Sequence, residues 1–466
     1  MDVNQKFKLA QIKKHKDFLL NGKKDISLNA ILGSEKCQLI ISECRDFRDG
    51  IYTPLKTLFT FIKQVLNPDK SCKNAVVEVL AEQLVAGKKA ISTNTGPYCK
   101  ARKRLPEHAV SELVKEVGKS AIKNAPIGWK AFGRPLKGVD GSSVIMPDTK
   151  ENQEIFPQQK CQKKGLGFPI ARLIVVMSLT VGTILDYAVG AFQGKGTGES
   201  TLLRGIFDCI EQDDILLGDR YYPSYFLIAD ILRKGADGIF RGQAQRFYDF
   251  RKGEVLGKKD HIVEWNKSKK PDWMEDEEYN SYPKKIRVRE FKSNGTVYVT
   301  TLLNDKKYHK KELAKLYELR WHLEINLKSL KETMGMDMLS CKSPDMVKKE
   351  IGIHFLAYNF IRIIIAEACI RHNATPNKVS FKGSVQLLNK LMPIFITSSN
   401  KKNKMLYDEL LKKIVKNNIG NRPGRVEPRA VKRRPKPFDM LNKPRFIEKA
   451  KLMRKLDRLI ARSADA

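Results

Sequence analysis

Lys315–Met336, KLYELRWHLEINLKSLKETMGM, has the spacing of an amphipathic helix and sets the terms for the rest of the chain. Tyr317, Arg320, Glu324 and Lys331 fall at offsets of 0, +3, +7 and +14. At about 100° per residue a continuous helix brings these four within an arc of roughly 60°. Leu316, Leu319, Leu323, Leu327 and Leu330 form an apolar stripe beside them. One edge therefore packs inward, and the neighbouring edge presents a single carboxylate flanked by two cations and a phenol. Such an edge needs partners, and the flanking sequence is read for them.

Upstream, from Pro135, the periodicity changes from helix to strand. LKGVDGSSVIMP predicts strand, turn and strand, and ARLIVVMSL and ILDYAVGAF predict two more strands. TLLRGIFDCI follows as a helix, DILLGD as a short buried strand, YPSYFLIADILRKG as a helix and GADGIFRG as a strand. A meander followed by βα units predicts a mixed sheet covered by helices. HIVEWN, KKIRVREF and TVYVTTLL then predict a β-rich insertion, with the acidic run Asp272–Glu278 between the first two. Residues 346–371 predict an apolar helix.

The N-terminal third reads as mainly helical, with apolar residues at helix spacing over Leu55–Val65 and Ala75–Ala86. Lys100, Arg102, Lys103 and Arg104 form a basic knot beside Tyr98, ahead of an amphipathic helix. That order suits a helical DNA-binding module. After about residue 397 the chain turns basic, and NRPGRVEPRAVKRRPK (421–436), with three prolines, reads as an extended strap.

With 87 Lys+Arg against 52 Asp+Glu, the formal net charge is +35 over 466 residues. A polyanion is the expected partner, and nucleic acid comes first. The eight cysteines are scattered without a C-x-x-C pair, which predicts reduced thiols and a cytosolic setting. The N-terminus lacks an apolar signal core. Ala171–Phe192 and Ile351–Ile370 both carry charged or polar residues that disfavour a bilayer span, so no membrane partner is expected. GAFQGKGTGES (190–200) fails as a phosphate loop, because Gly196 stands where Ser or Thr is required. The seven histidines show no ligand spacing.

Phosphodiester chemistry with two divalent ions needs hard oxygen donors on rigid elements. Asp140 follows the apolar run Leu136–Val139, Asp219 follows Ile215–Gly218, and Glu324 lies on the helix face. Separately, Asp140-Gly141 fits a hairpin turn, Asp219 a helix cap and Glu324 a solvated glutamate. Together, on so basic a chain, they suit a metal-dependent nuclease site.

The set resembles the DDE transposases of bacterial insertion sequences, in the large group marked by a Y-x2-R-x3-E-x6-K signature (insertion-sequence family four). That signature is Tyr317, Arg320, Glu324 and Lys331, with Trp321 directly after the arginine. Asp140 stands in a D-G-S context and Asp219 in a D-R-Y-Y context, as in that family. The resemblance implies an α/β fold: an RNase H-like mixed-sheet core with a β-rich insertion, a helical N-terminal domain and a basic C-terminal tail. The boundaries are 131–242 with 311–396 for the core, 243–310 for the insertion, 1–130 for the helical domain and 397–466 for the basic tail. It also implies that Asp140, Asp219 and Glu324 hold two Mg²⁺ ions, with Mn²⁺ as a substitute. Tyr317, Arg320 and Lys331 would contact terminal DNA phosphates, with Arg220 and Trp321 beside them and Lys100, Arg102 and Arg104 binding DNA from the N-terminal domain. The expected activity is cut-and-paste transposition by a dimer or larger assembly on terminal inverted repeats and target DNA. A catalytically inert DNA-binding relative and an endonuclease without strand transfer are the alternatives. Trp265 and Trp273 of the insertion are expected to be packing residues.

Overall fold

Hydroxyl caps start the N-terminal helices. The structure, a computed structural model, describes residues 34–44, 47, 50–123, 125–397, 400–419 and 443–464; the basic strap at 421–436 lies outside them. Ser34, Thr53 and Ser71 accept the orphan N–H groups of Cys37, Lys56 and Asn74, starting α1 (Glu35–Ser42), α2 (Pro54–Leu66) and α3 (Cys72–Val85). Then come α4 (Gly96–Arg104) and the amphipathic α5 (Glu107–Lys123).

β1 (Leu136–Ile145) is one uninterrupted strand, where the sequence predicted a turn between two strands. Its residues Lys137 to Ile145 pair antiparallel with Ser178 to Ile170 of β2 (Ile170–Ser178). So long a partner outweighs the turn preference of Asp140-Gly141, an instance of tertiary context overriding local propensity. A short helix, α6 (Lys150–Ile155), lies between them. β3 (Ile184–Ala191), α7 (Glu199–Arg204), β4 (Ile215–Gly218), α8 (Tyr225–Arg233) and β5 (Asp237–Arg241) follow. The insertion supplies β6 (Glu254–Gly257), β7 (Asp260–Asn266), α9 (Asp276–Ser281), β8 (Lys285–Ser293) and β9 (Thr296–Thr300).

The nine strands among the described residues form one sheet, in the order β3-β2-β1-β4-β5-β9-β8-β7-β6. β1, β4 and β5 run parallel; β2 runs antiparallel to both of its neighbours, β1 and β3. This is the mixed sheet expected of an RNase H-like core. The insertion extends that sheet: β9 pairs antiparallel with β5, Arg241 standing opposite Tyr298. Two cores sandwich the sheet. Leu136, Leu173, Val175, Ile215 and Leu217 point to one, Val139, Ile174, Val176 and Leu216 to the other.

The Lys315–Met336 stretch is not one helix. α10 (Lys310–Glu318) ends at a tight step where Leu319, Arg320, His322 and Leu323 donate to carbonyls three residues back. α11 (Trp321–Lys328) follows, and Ser329–Thr333 forms a wider π turn. The leucine stripe still docks: Leu323, Leu327 and Leu330 are buried, while Leu316 and Leu319 are half-buried. A strict 3.6-residue period cannot reveal 3₁₀ and π steps that nearly cancel.

α12 (Pro344–Arg371) runs along the first core, and α13 (Phe381–Thr397), α14 (Asn400–Lys416) and α15 (Arg445–Ala464) are the remaining α-helices of the described residues. α12 is long and apolar enough to cross a membrane, yet 83% of its most apolar window is buried inside the protein. Asn359 ties it down, donating to Val114 O (3.1 Å) and Ile184 O (2.9 Å) and accepting from Ile184 N (2.7 Å). Gly118 of α5 makes this approach feasible, because a Cβ there would lie 1.8 Å from Ile184 O.

Buried in α12, His354 has no hydrogen-bond partner for either ring nitrogen among the described residues. Burial, and then the charge of Lys70, hold its pKa well below the usual 6.5. The unfolded chain therefore takes up a proton that the folded chain refuses. The contribution is fully present above pH 6.5 and is lost as pH falls below it. His354→Leu is expected to flatten the acid limb of a series of urea midpoints measured from about pH 7 to about pH 5.

Candidate active site

Two aspartates meet where β4 ends beside the middle of β1, because β1 and β4 are adjacent and parallel. Gly138 pairs with Leu217, and Asp140 and Asp219 each lie two residues further along. Both continue the rows that face the first core, Leu136-Gly138-Asp140 and Ile215-Leu217-Asp219. α11 comes down on that face. Gly138 admits it: a Cβ there would lie 2.7 Å from Leu323 Cδ1. Leu323 is thus seated over β1, and Glu324 follows it in sequence beside the aspartates.

Arg320, at the joint between α10 and α11, binds this group together. Its guanidinium pairs with Glu324 and lies 3.8 Å from Asp140 Oδ2. Asp140 Oδ1 accepts from Gly141 N (2.9 Å). Burial pushes the Asp140 carboxyl up to about 6; Gly141 N–H and Arg320 oppose the rise, and the charges of Asp219 and Glu324 add to it. Asp219 Oδ1 accepts from Tyr221 N (2.7 Å), which fixes a tight turn. It does not cap α8; Ser224 does that. Tyr317 packs edge-on against Tyr298 of β9, with ring centroids 5.2 Å apart. Burial raises its phenol to about 12, with Arg320 opposing and Asp219 adding to the rise.

Tyr317, Arg320 and Glu324 therefore gather around Asp140 and Asp219. Lys331 lies on the π turn, half-buried. Arg220 is exposed beside Asp219, and Trp321 is 55% exposed beside Arg320. The N-terminal cations divide. Lys100 is exposed and Arg104 is half-buried. Arg102 turns inward: its guanidinium donates to Gln64 Oε1 (3.3 Å) and Cys72 Sγ (3.2 Å) and stacks on Phe61. Helix phase puts Arg102 on the inward side of α4, where Gln64 and Cys72 receive its Nη1 and Nη2 donors. Trp265 is a packing residue, buried under Arg246 with its N–H donating to Glu290 Oε1 (2.8 Å); Trp273, half exposed, lies under Arg204.

Glu199, at the start of α7, was not singled out in the sequence. Its carboxylate fills the space beside Gly141, where a Cβ would lie 2.6 Å from Oε1. Tyr222 donates its O–H to Glu199 Oε2 (3.1 Å). Burial, reinforced by the charges of Glu199, Asp140 and Asp219, raises the Tyr222 phenol far above its usual range. The glycine-rich loop ahead of Glu199 drew attention to phosphate binding and away from the acid that ends it.

The donor set, carboxylate oxygens from two strands and one helix, suits a hard divalent cation. Among the described residues no three His, Cys, Asp or Glu side chains are gathered tightly enough to hold one ion between them.

Residues 133–360 match the family model described as Transposase DDE domain. The chain is 24% identical over 340 residues to the transposase InsG for insertion sequence element IS4 of Escherichia coli (strain K12), covering 72% of this chain and 76% of that relative. It is 31% identical over 80 residues to the transposase for insertion sequence element IS421 of Escherichia coli, covering 17% of this chain and 22% of that relative. The 133–360 match contains β1, β4 and α11, and so contains Asp140, Asp219 and Glu324.

Proposed function

The chain belongs to the DDE transposases of bacterial insertion sequences, and from that membership we propose that it binds the ends of such an element, cuts there by metal-dependent phosphodiester hydrolysis and joins the freed 3′-OH to target DNA. DNA transposition is the function of the family, and DDE transposases generally use divalent metals. The observation that carries the cutting step is the meeting of Asp140 and Asp219 on adjacent parallel strands, with Glu324 held over them by Leu323 and Arg320.

In this reading Asp140, Asp219 and Glu324 hold two Mg²⁺ ions, with Mn²⁺ as a substitute. When bound, the ions supply activation of the attacking oxygen, water in the first step and the 3′-OH in the second, and offset charge on the leaving oxygen. The other residues hold the strand. Arg320 already compensates two carboxylates and has the fork geometry to take a phosphate. Tyr317 remains a neutral phenol and offers an O–H donor. Lys331 and Arg220 add charge along the backbone, and exposed Trp321 offers a ring to an end base or sugar. Lys100 and Arg104 extend the basic path onto the N-terminal domain. A dimer or larger assembly would hold two ends together.

Arg320→Ala is expected to weaken binding to end duplexes and to make the slope of log affinity against log salt shallower by about 1, the loss of one phosphate contact. A fluorescence-anisotropy series across salt concentrations measures it, and an unchanged slope removes Arg320 from the phosphate ligands. The function itself is tested by incubating the protein with Mg²⁺, an element-end duplex and a target plasmid. Joined product supports transposition. Cleavage without joining favours a nuclease, and binding without cleavage favours an inert relative.

A further inference from the structure

We propose that Glu199 is a fourth carboxylate of the metal site, reaching it from the opposite face of the sheet and holding the water ligands of the cation. This rests on the reading of Asp140, Asp219 and Glu324 as metal ligands. Three observations converge on it. Glu199 is tied to both aspartate segments: its carboxylate lies against Gly141, next in sequence to Asp140, and accepts from Tyr222, three residues after Asp219. It approaches through α7 and Tyr222, and Leu203 of α7 and Tyr222 belong to the second core, while Leu323 beside Glu324 belongs to the first. The two glutamates thus bracket the aspartates from either side.

The third observation is charge. On the Glu324 side Arg320 compensates both Glu324 and Asp140. On the other side Glu199 accepts a hydrogen bond from a neutral phenol and makes no ion pair among the described residues. A half-buried carboxylate so placed lacks compensation. Mg²⁺ keeps several waters when it binds protein carboxylates, and those waters are held by groups just outside the ligand sphere. An outer carboxylate over Gly141 supplies that acceptor. It also accounts for a glycine at 141, since any side chain there would displace it.

The test uses the full-length protein without DNA and Mn²⁺ as the probe, its free concentration followed by electron paramagnetic resonance. Glu199→Gln preserves the acceptor for Tyr222 and removes only the charge. It is expected to weaken Mn²⁺ binding about tenfold, the scale of an outer-ligand loss, while the thermal midpoint in EDTA stays at the wild-type value. Tyr222→Phe, which removes the hydrogen bond and leaves the carboxylate, is expected to keep Mn²⁺ affinity within about twofold of wild type. Unchanged Mn²⁺ affinity in Glu199→Gln, alongside a loss in Asp219→Asn, overturns the proposal and leaves the metal site standing. Equal losses in Glu199→Gln and Tyr222→Phe overturn it too, by making the hydrogen bond the agent. If Asp219→Asn itself binds Mn²⁺ normally, the reading of the metal site fails first.

Discussion

Asp219→Asn is expected to lower strand cleavage by at least about 10³-fold, about 4 kcal/mol of barrier, while binding to end duplexes stays within about twofold of wild type. Asn keeps the Oδ1 that accepts from Tyr221 N, so the turn after β4 should persist. It loses the negative charge that would share the divalent cations with Asp140. Single-turnover cleavage of a labelled end duplex in Mg²⁺, beside a gel-shift in Ca²⁺, separates the two effects. Retained cleavage would mean that the acid set has been misassigned. Loss of both cleavage and binding would mean that the turn, and not the charge, was needed.

The largest effect on stability is expected in the insertion. Arg289 and Asp260 are both buried, and the guanidinium meets the carboxylate in a fork, Nε to Oδ1 at 2.8 Å and Nη2 to Oδ2 at 2.7 Å. The remaining arm, Nη1, donates to Tyr308 O (2.7 Å), just ahead of α10. Asp260→Ala strands that guanidinium in the interior and is expected to cost about 3–5 kcal/mol. Asp260→Ala combined with Arg289→Met removes both charges and should recover most of the loss. Equilibrium unfolding in urea measures both. Because the same arginine anchors the chain entering α10, the single variant should also loosen Tyr317, visible as weaker end binding at temperatures where the protein is still folded.

Much of this arrangement is legible in the sequence where one residue type has one physical job. Apolar runs ending in Asp140 and Asp219 announced two strands, and Asp219 does follow the end of β4 while Asp140 lies within β1. The spacing of Tyr317, Arg320 and Glu324 announced a common face, and the three do gather. The insertion strands were marked by β-branched and aromatic residues, and β7, β8 and β9 fall where those residues are dense. Legibility failed where the answer depended on distant partners. Asp140-Gly141 looks like a turn until nine consecutive residues of β1 find β2. Arg102 looks like a surface cation until Gln64 and Cys72, from other helices, are seen to receive it. Glu199 is one glutamate among many until Gly141 and Tyr222 place it. No local period encodes the tight step at Leu319–Arg320 or the π turn at Ser329–Thr333, because they record how the chain had to adjust to seat both Arg320 and Leu330.

The pairing of Arg241 with Tyr298 has a consequence for how such a chain tolerates change. The excursion between them departs from one rung of the ladder and returns on the facing rung. Its two ends are therefore clamped by the sheet, whatever lies between. Lengthening or shortening that excursion changes the closure entropy only logarithmically, about 0.6 kcal/mol for each doubling. That tolerance belongs to the exposed turns of the excursion, Lys258-Lys259 and Asn294-Gly295, and not to its strands, because Trp265, Ile286 and Val288 pack in the second core and Arg289 holds the chain entering α10.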